Sequence, residues 1–157
     1  MTLPLLLASD HAGFELKEHL KNFLGRRGIV YQDIGPTSDD PVDYPDFAHR
    51  VAEAVSAGRA ERGLLVCGSG QGMAMTANRH QGVRAALASD EATARLSREH
   101  NDANVLALGA RLVDAETACR ILQVWLETPF AGGRHATRVE KIDGNGTSGE
   151  PTTTPRA

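Results

Sequence analysis

The residues best suited to chemistry surround a glycine-rich turn, LLVCGSGQGMAM, at positions 64–75. The apolar run before Cys67 is typical of a buried strand, and the segment after Gly72 is compatible with a helix. Gly68, Gly70 and Gly72 let backbone N–H groups approach a ligand closely, and the start of a helix favours negative charge. The same field favours the thiolate form of Cys67, which could act as a base or a nucleophile, although a buried cysteine often serves only as a small apolar side chain. The turn therefore predicts a thiol beside a bound oxyanion or phosphate.

The spacing of the same turn excludes three other chemistries of glycine-rich loops. A dinucleotide fingerprint needs a third glycine where Met73 stands, and a P-loop needs a Gly-Lys-Ser/Thr ending that the turn lacks. A cysteine phosphatase would need an arginine six residues after Cys67, and that position is again Met73. No pair of His or Cys residues has the spacing of a zinc site. We therefore expect neither a nucleotide cofactor nor a metal ion.

Further acid–base and phosphate-binding side chains occur near the ends of other predicted elements. In open α/β sheets, ligands bind outside the carboxyl ends of the strands, so we expect these side chains to meet Cys67 there. Each residue alone would more often be a solvated surface group, and the prediction depends on their clustering. The candidates are Asp10 and His11 in SDHAG, His100 and Asn101 in EHNDAN, Arg111 in LGAR, and Arg134, His135 and Arg138 in GGRHATR.

Strand-like and helix-like segments alternate along the chain, and these elements must position the candidate residues. Parallel strands need long crossovers, and both faces of a parallel sheet need cover. The alternation therefore predicts an α/β fold with helices on both faces of a parallel, Rossmann-like sheet. The predicted strands are 3–9, 29–34, 63–67, 83–87 and 105–108. The predicted helices are 13–27, about 47–58, 72–79, 90–101, 114–128 and 134–142.

Composition and charge indicate one domain with a small partner. The chain has 157 residues, and 17 basic against 20 acidic residues give a net charge of -3, with no basic run that would suggest nucleic acid or a membrane surface. Cys67 and Cys119 lie in separate elements, and the first ten residues lack a basic leader, so we expect reduced thiols, a structural Cys119 and a cytoplasmic location. Residues 144–157 have no apolar anchor, which predicts a disordered tail after a domain at 1–143.

Five separated segments resemble the ribose-5-phosphate isomerase B family, which also includes galactose-6-phosphate isomerase subunits. They are SDHAGFELK, DYPDFA, VCGSGQGM, LSREHNDANVLALGAR and GGRHATRVEKI, and the resemblance covers residues 3–142. It implies a three-layer α/β/α sandwich with strand order 2-1-3-5-4. It also implies a sugar-phosphate isomerase that needs no cofactor. Family members are dimers or dimers of dimers with active sites shared between subunits, so we expect a homodimer or homotetramer.

The resemblance also implies a role for each candidate residue. Cys67 would be the base that moves a proton between neighbouring carbons through a cis-enediolate, and His100 would open the sugar ring. The Ser69 hydroxyl and the backbone of Gly68, Gly70 and Gly72 would stabilise the enediolate oxygen. The sugar-hydroxyl ligands would be Asp10, Tyr44 and Asn101, and the phosphate ligands His11, Arg111, Arg134 and Arg138.

This chain departs from some family members in ways that affect the prediction. Some members use a glutamate six positions after the cysteine position as the base, but Met73 stands there, so Cys67 is the available base. Ser69 replaces a threonine found in many members and keeps the hydroxyl. Arg79 replaces a frequent lysine and lies beyond the loop. None of these changes removes the isomerase chemistry.

Three alternatives remain open at the level of the sequence. The substrate could be ribose 5-phosphate or an erythrulose, allose or galactose phosphate, because pocket volume cannot be read from the chain. A non-catalytic phosphosugar-binding module would need the phosphate ligands but neither Cys67 nor His100. A thiol hydrolase would use Cys67 as a nucleophile and would leave the arginines without a purpose.

Overall fold

The computed structural model describes residues 2–144, which form one five-stranded sheet and six helices. All neighbouring strands are parallel, and their order is β2-β1-β3-β5-β4, which confirms the predicted fold class and strand order. Except for Gly144, the predicted tail lies outside the described residues. The strands are β1 (Leu5–Ser9), β2 (Tyr31–Gly35), β3 (Gly63–Cys67), β4 (Ala85–Leu87) and β5 (Val105–Gly109).

The helices agree with the predicted ones to within a few residues at each end. The fourth strand begins at Ala85, two residues later than predicted. The backbone N–H of Arg84, just before it, donates to the side-chain oxygen of Asn104 at 2.8 Å. No helix within residues 2–144 is long and apolar enough to cross a bilayer. The helices are α1 (Phe14–Arg26), α2 (Tyr44–Ser56), α3 (Gln71–Ala77), α4 (Glu91–Asn101), α5 (Ala115–Glu127) and α6 (Arg134–Ile142).

Two apolar layers cover the sheet, and together they make the predicted three-layer sandwich. Helices α1, α4 and α5 bury their apolar sides on one face, where Leu64 and Val66 of β3 point. Helices α2 and α3 cover the other face, where Leu65 and Cys67 point. Successive side chains of a strand alternate between faces, so the last residue of β3 directs its thiol towards α2 and α3. Cys119 is half-buried against the first layer, and burial raises the pKa of its thiol.

Candidate active site

A cleft of about 350 Å³ opens at the carboxyl ends of β1, β3 and β5, next to the start of α2. This is the edge at which open α/β sheets bind ligands, because loops from several strands converge there. All lining residues except Ala12 were predicted site residues. The lining residues are Asp10, His11, Ala12, Tyr44, Cys67, Gly68, Ser69, Gly72 and Arg111.

The thiol of Cys67 lies in this cleft with a hydrogen-bond donor beside it. The residue is only 4% exposed, and its Sγ accepts a hydrogen bond from the backbone N–H of Gly70 at 3.2 Å. The Ser69 Oγ accepts from the N–H of Gln71 at 3.4 Å, so its own proton is available to a ligand. Within the described part of the chain, the backbone N–H groups of Ser69 and Gly72 make no hydrogen bond. The loop therefore presents a thiol, a hydroxyl and unused N–H donors together.

Close backbone packing holds the loop in this shape. Gly70 has φ +78°, and a Cβ there would lie 2.9 Å from the carbonyl carbon of Leu108. A Cβ at Gly109 would lie 2.7 Å from the backbone of Ser69, so glycine is required on both sides of the contact. The carbonyl of Cys67 also accepts from the N–H of Ala110 at 2.8 Å. The loops after β3 and β5 thus fix each other.

His11 and Asp10 follow β1 and make contacts that define their possible roles. The Nδ1 of His11 accepts a hydrogen bond from the backbone N–H of Val42 at 3.2 Å. A neutral histidine in this arrangement carries its proton on Nε2, which is therefore a donor. The buried Asp10 accepts from the N–H of Gly13 at 2.9 Å through Oδ1. Its other oxygen makes no hydrogen bond within residues 2–144 and can bind a hydroxyl.

A buried ion pair anchors the segment that leads from β2 to Tyr44. The ammonium of Lys17 is fully buried and donates to both carboxylate oxygens of Asp33, at 2.7 and 2.8 Å, and to the carbonyl of Pro36 at 2.8 Å. Burial opposes ionisation of Asp33, but hydrogen bonds from Lys17 and Lys21 outweigh it and lower its pKa. All three ammonium donors of Lys17 have partners, which is the condition for tolerating a buried charge.

Sequence reasoning did not identify this anchor, although one signal was available. Lys17 lies three and seven residues before Leu20 and Leu24, so it shares their buried helical face. A lysine on the apolar face of a helix indicates a buried charge that must have a partner. The role of Gly109 was also missed, because a close contact between two loops leaves no periodic pattern.

Arg111 and Tyr44 both line the cleft, and each packs against a glycine of the loop. The guanidinium of Arg111 packs against Gly68, where a Cβ would lie 3.0 Å from one of its nitrogens. It makes no hydrogen bond or ion pair with any residue from 2 to 144, so it is a free cation at the cleft. The Tyr44 ring lies over Gly72, where a Cβ would be 2.4 Å from the ring. Glycines 68 and 72 therefore make room for side chains as well as for a ligand.

Four predicted site residues lie elsewhere, and the expectation that they share one edge with Cys67 was wrong. Helix α4 starts after the carboxyl end of β4 and runs back across the sheet, so His100 and Asn101 precede the amino end of β5. Helix α6 packs beside the end of α4, where the N–H of Ala131 donates to the carbonyl of Glu99 at 3.1 Å. The two ends of the sheet are separated by the length of a five-residue strand, about 16 Å. The remaining two residues, Arg134 and Arg138, are carried by α6 and are likewise not at the Cys67 edge.

These four residues and His135, a fifth candidate that was wrongly expected beside Cys67, form a second group with its own geometry. The imidazole rings of His100 and His135 stack with centroids 4.3 Å apart and planes 13° apart. Burial, followed by the charges of His100, Arg134 and Arg138, lowers the pKa of His135. Arg134 and Arg138 are exposed, one helical turn apart, and without an ion pair among residues 2–144. The group therefore offers an imidazole and two free cations.

A cavity of about 550 Å³, larger than the Cys67 cleft, lies near this second group. Asn101 lines it together with Arg84, which donates to the backbone carbonyls of Asn101 and Asp102 at 3.0 and 3.1 Å. Arg84 also pairs with Asp143 at the end of α6, at 2.7 Å. Arg84 thus connects α4 and α6, the two helices that carry the second group. The cavity contains no thiol, and its size alone does not make it the catalytic centre.

Known proteins are similar to this chain in both sequence and fold. A family model described as Ribose/Galactose Isomerase matches residues 5–142. Ribose-5-phosphate isomerase B of Escherichia coli K12 is 45% identical over 133 residues, which are 85% of this chain and 89% of that protein. D-erythrulose-4-phosphate isomerase of Pectobacterium atrosepticum is 39% identical and covers 89% of this chain and 93% of its own.

Solved structures give the same result. A ribose 5-phosphate isomerase from Thermotoga maritima is 48% identical, superposes with a TM-score of 0.88, and covers 92% of this chain and 99% of its own. The family match spans all five strands and all six helices, including both groups of candidate residues. The chain therefore belongs to the ribose/galactose isomerase family.

Proposed function

We propose that this protein interconverts ribose 5-phosphate and ribulose 5-phosphate without a cofactor, through a cis-enediolate, with Cys67 as the base. One observation carries the proposal: the buried Sγ of Cys67 shares a cleft with unused N–H donors, the Ser69 hydroxyl and the free cation of Arg111. A proton transfer next to a carbonyl needs a base and preorganised donors for the developing oxyanion. The loop supplies both.

The chemistry follows from the contacts in the cleft. The Cys67 thiolate removes the proton from C2 of the open-chain aldose, and the electron pair moves onto the C1 carbonyl oxygen. Return of a proton from the Cys67 thiol to C1, with transfer of the hydroxyl proton from O2 to O1, gives the ketose and regenerates the thiolate. The N–H of Gly70 stabilises the thiolate, while those of Ser69 and Gly72 donate to the enediolate oxygen.

The other cleft residues bind the parts of the substrate that do not react. The Nε2–H of His11 and the guanidinium of Arg111 donate to the phosphate, and a guanidinium can make two parallel hydrogen bonds to it. Asp10 and Tyr44 bind sugar hydroxyls. The contact from Val42 to His11 supports this assignment, because it leaves Nε2 as the donor that faces a ligand.

A second copy of the chain completes the site in this proposal. His100 opens the sugar ring, Asn101 binds a hydroxyl, and Arg134 and Arg138 close on the phosphate, but all four lie across the sheet from Cys67 of their own chain. A homodimer or homotetramer in which each cleft receives these residues from its neighbour solves the separation. Arg134 and Arg138 support this arrangement, because both are exposed, have no ion pair with any residue from 2 to 144, and can meet a phosphate on another subunit.

Substitution of the base tests the proposal. In Cys67→Ser, isomerisation should fall by at least about a thousandfold, because an alcohol is too weak an acid to be ionised near neutral pH. Binding of ribose 5-phosphate, followed by calorimetry, should stay within about threefold, because the phosphate ligands are unchanged. Cys119→Ser is the matched control and should behave as the parent. Turnover close to that of the parent in Cys67→Ser would refute the assignment.

A panel of sugar phosphates tests the substrate and the alternative functions. Ribose 5-phosphate should have the highest kcat/KM among ribose, erythrulose, allose and galactose phosphates, and free ribose should be a poor substrate. Preference for a four-carbon substrate would instead match the relative named D-erythrulose-4-phosphate isomerase. Binding without turnover of any of them would indicate a phosphosugar-binding module, and hydrolysis of an ester would indicate a thiol hydrolase.

A further inference from the structure

His135 has no part in the chemistry proposed above, yet its ring stacks on the ring of His100. It is the second residue of α6, and only 9% of it is exposed. Its ring lies parallel to that of His100, with centroids 4.3 Å and planes 13° apart. The contact joins the last turn of α4 to the first turn of α6. A flat stack of this kind restricts how far either ring can rotate.

No hydrogen bond within residues 2–144 fixes the orientation of the His100 ring. Among residues 2–144, neither ring nitrogen of His100 has a hydrogen-bond partner, whereas functional histidines usually have one nitrogen held by a carbonyl or carboxylate. Both nitrogen edges are therefore free to face a substrate. The plane of the ring depends on the stack with His135 instead of on a hydrogen bond.

The surroundings of His135 lower its pKa and so disfavour the protonated ring. Burial opposes its protonation first, and the positive charges of His100, Arg134 and Arg138 add to this effect, while Glu99 acts in the opposite direction. Two stacked imidazolium rings would repel each other, whereas a neutral ring can lie against a charged one. The lowered pKa of His135 therefore favours the stacked contact.

We propose that His135 is a positioning residue: its flat ring, stacked on that of His100, sets the plane of His100, so that a His100 nitrogen meets the ring oxygen or anomeric hydroxyl of a sugar phosphate bound at a second copy. The inference rests on the proposed function, because it requires that His100 opens the sugar ring. It concerns ring opening alone and leaves proton transfer by Cys67 untouched. The two steps can be separated experimentally.

Ribulose 5-phosphate makes this separation possible. Its C5 oxygen carries the phosphate, so it cannot close to a five-membered ring and enters the cleft as an open chain. In D2O, Cys67 can remove a C1 proton and return a deuteron without any ring opening. Ribose 5-phosphate, in contrast, exists mainly as a ring and must be opened first. Loss of ring opening should lower isomerisation of the aldose more than deuterium exchange into the ketose.

The experiment compares His135→Leu, which removes the flat ring, with His135→Phe, which keeps a flat ring without nitrogens. For ribose 5-phosphate, kcat should fall by about 10- to 100-fold in His135→Leu and by less than about threefold in His135→Phe, because small misplacements of a reacting group cost this much. Deuterium incorporation at C1 of ribulose 5-phosphate, followed by NMR, should stay within about threefold in both. KM should change little, because Arg134 and Arg138 remain.

Two control variants, His19→Leu and His100→Ala, make every outcome informative. His19→Leu changes an exposed histidine on α1 and should match the parent, and a thermal melt checks that each variant is folded. His100→Ala should lose isomerisation and keep exchange. If His100→Ala shows this pattern and folded His135→Leu does not, the role of His135 is refuted while the proposed function stands. Equal loss of exchange and isomerisation in His135→Leu, or failure of His135→Phe to restore kcat, would also refute it. If His100→Ala isomerises ribose 5-phosphate normally, ring opening by His100 fails and the role of His135 fails with it.

Discussion

If the site is shared between subunits as proposed, a mixture of two inactive variants of this protein should regain activity, because Cys67 and His100 would then belong to different halves of it. One variant, Cys67→Ser, has a defective cleft and an intact second group. The other, His100→Ala, has an intact cleft and a defective second group. Cys67 lies at the carboxyl ends of the strands and His100 lies towards their amino ends. The five-residue strand β3 spans about 16 Å, so a single chain cannot bring its own two residues together.

The expected yield follows from the symmetry of a dimer. Random exchange of equal amounts of the two variants gives about one half heterodimers, and each heterodimer has one intact site and one doubly defective site. The mixture should therefore recover about a quarter of the parent's activity per chain. A tetramer built from such dimers gives the same fraction. Exchange can be driven by mild denaturant and dilution, and activity on ribose 5-phosphate is measured over time.

The controls decide between a shared site and other causes of recovery. Cys67→Ser mixed with Cys67→Ala should stay inactive, because every cleft in that mixture lacks the thiol. When a double variant carrying Cys67→Ser and His100→Ala is mixed with an equal amount of the parent, exchange should lower the activity per chain from about one half to about one quarter of the parent's, because every heterodimer then has two defective sites. If subunit exchange is complete by mass spectrometry and the first mixture gains no activity, each site is built from one chain and the shared-site proposal is wrong.

Four further predictions address the loop, the substrate contacts, the buried ion pair and metal dependence. Gly70→Ala should abolish turnover and lower the free energy of unfolding, measured with denaturant, by about 1 to 3 kcal/mol. The substitution strains a residue with left-handed φ and places a Cβ against the backbone of Leu108. The control is Gly25→Ala, where a Cβ meets no atom within 4 Å. Gly72→Ala should displace Tyr44 and raise KM by about tenfold with a smaller change in kcat, whereas equal KM values would remove Tyr44 from substrate binding. Because the pKa of Asp33 is lowered in the folded protein, its carboxylate stabilises the fold above the unfolded-state pKa of about 4, and this contribution is lost as pH falls through the folded-state pKa. The difference in unfolding free energy between the parent and Asp33→Asn should therefore shrink below about pH 4. A difference that stays constant in acid titrations would contradict this prediction. Dialysis against a strong chelator should leave kcat unchanged, because backbone N–H groups stabilise the oxyanion in the proposed mechanism, and activity restored only by added metal would overturn that mechanism.

Much of the fold could be predicted from local sequence patterns. The apolar run that ends at Cys67 and the glycines after it are local features, and local features determine strands, turns and helix starts. The structure places the strand at Gly63–Cys67, as the pattern predicts. Alternation of strands and helices was sufficient for a parallel sheet with two helical layers, because few other arrangements cover both faces. The eight predicted residues that line the cleft all follow strands, start α2 or belong to the glycine-rich loop.

Only the tertiary structure decided where the remaining site residues lie. His100 and Arg134 carry suitable side chains, but the sequence shows their types and not the edge of the sheet that they reach. A crossover helix must run antiparallel to its strands, so a residue at the end of α4 is carried back to the amino edge, away from Cys67. The buried partnership of Lys17 with Asp33 and the stack of His135 on His100 likewise join residues that are distant along the chain. Such contacts depend on packing between elements, which no local pattern records.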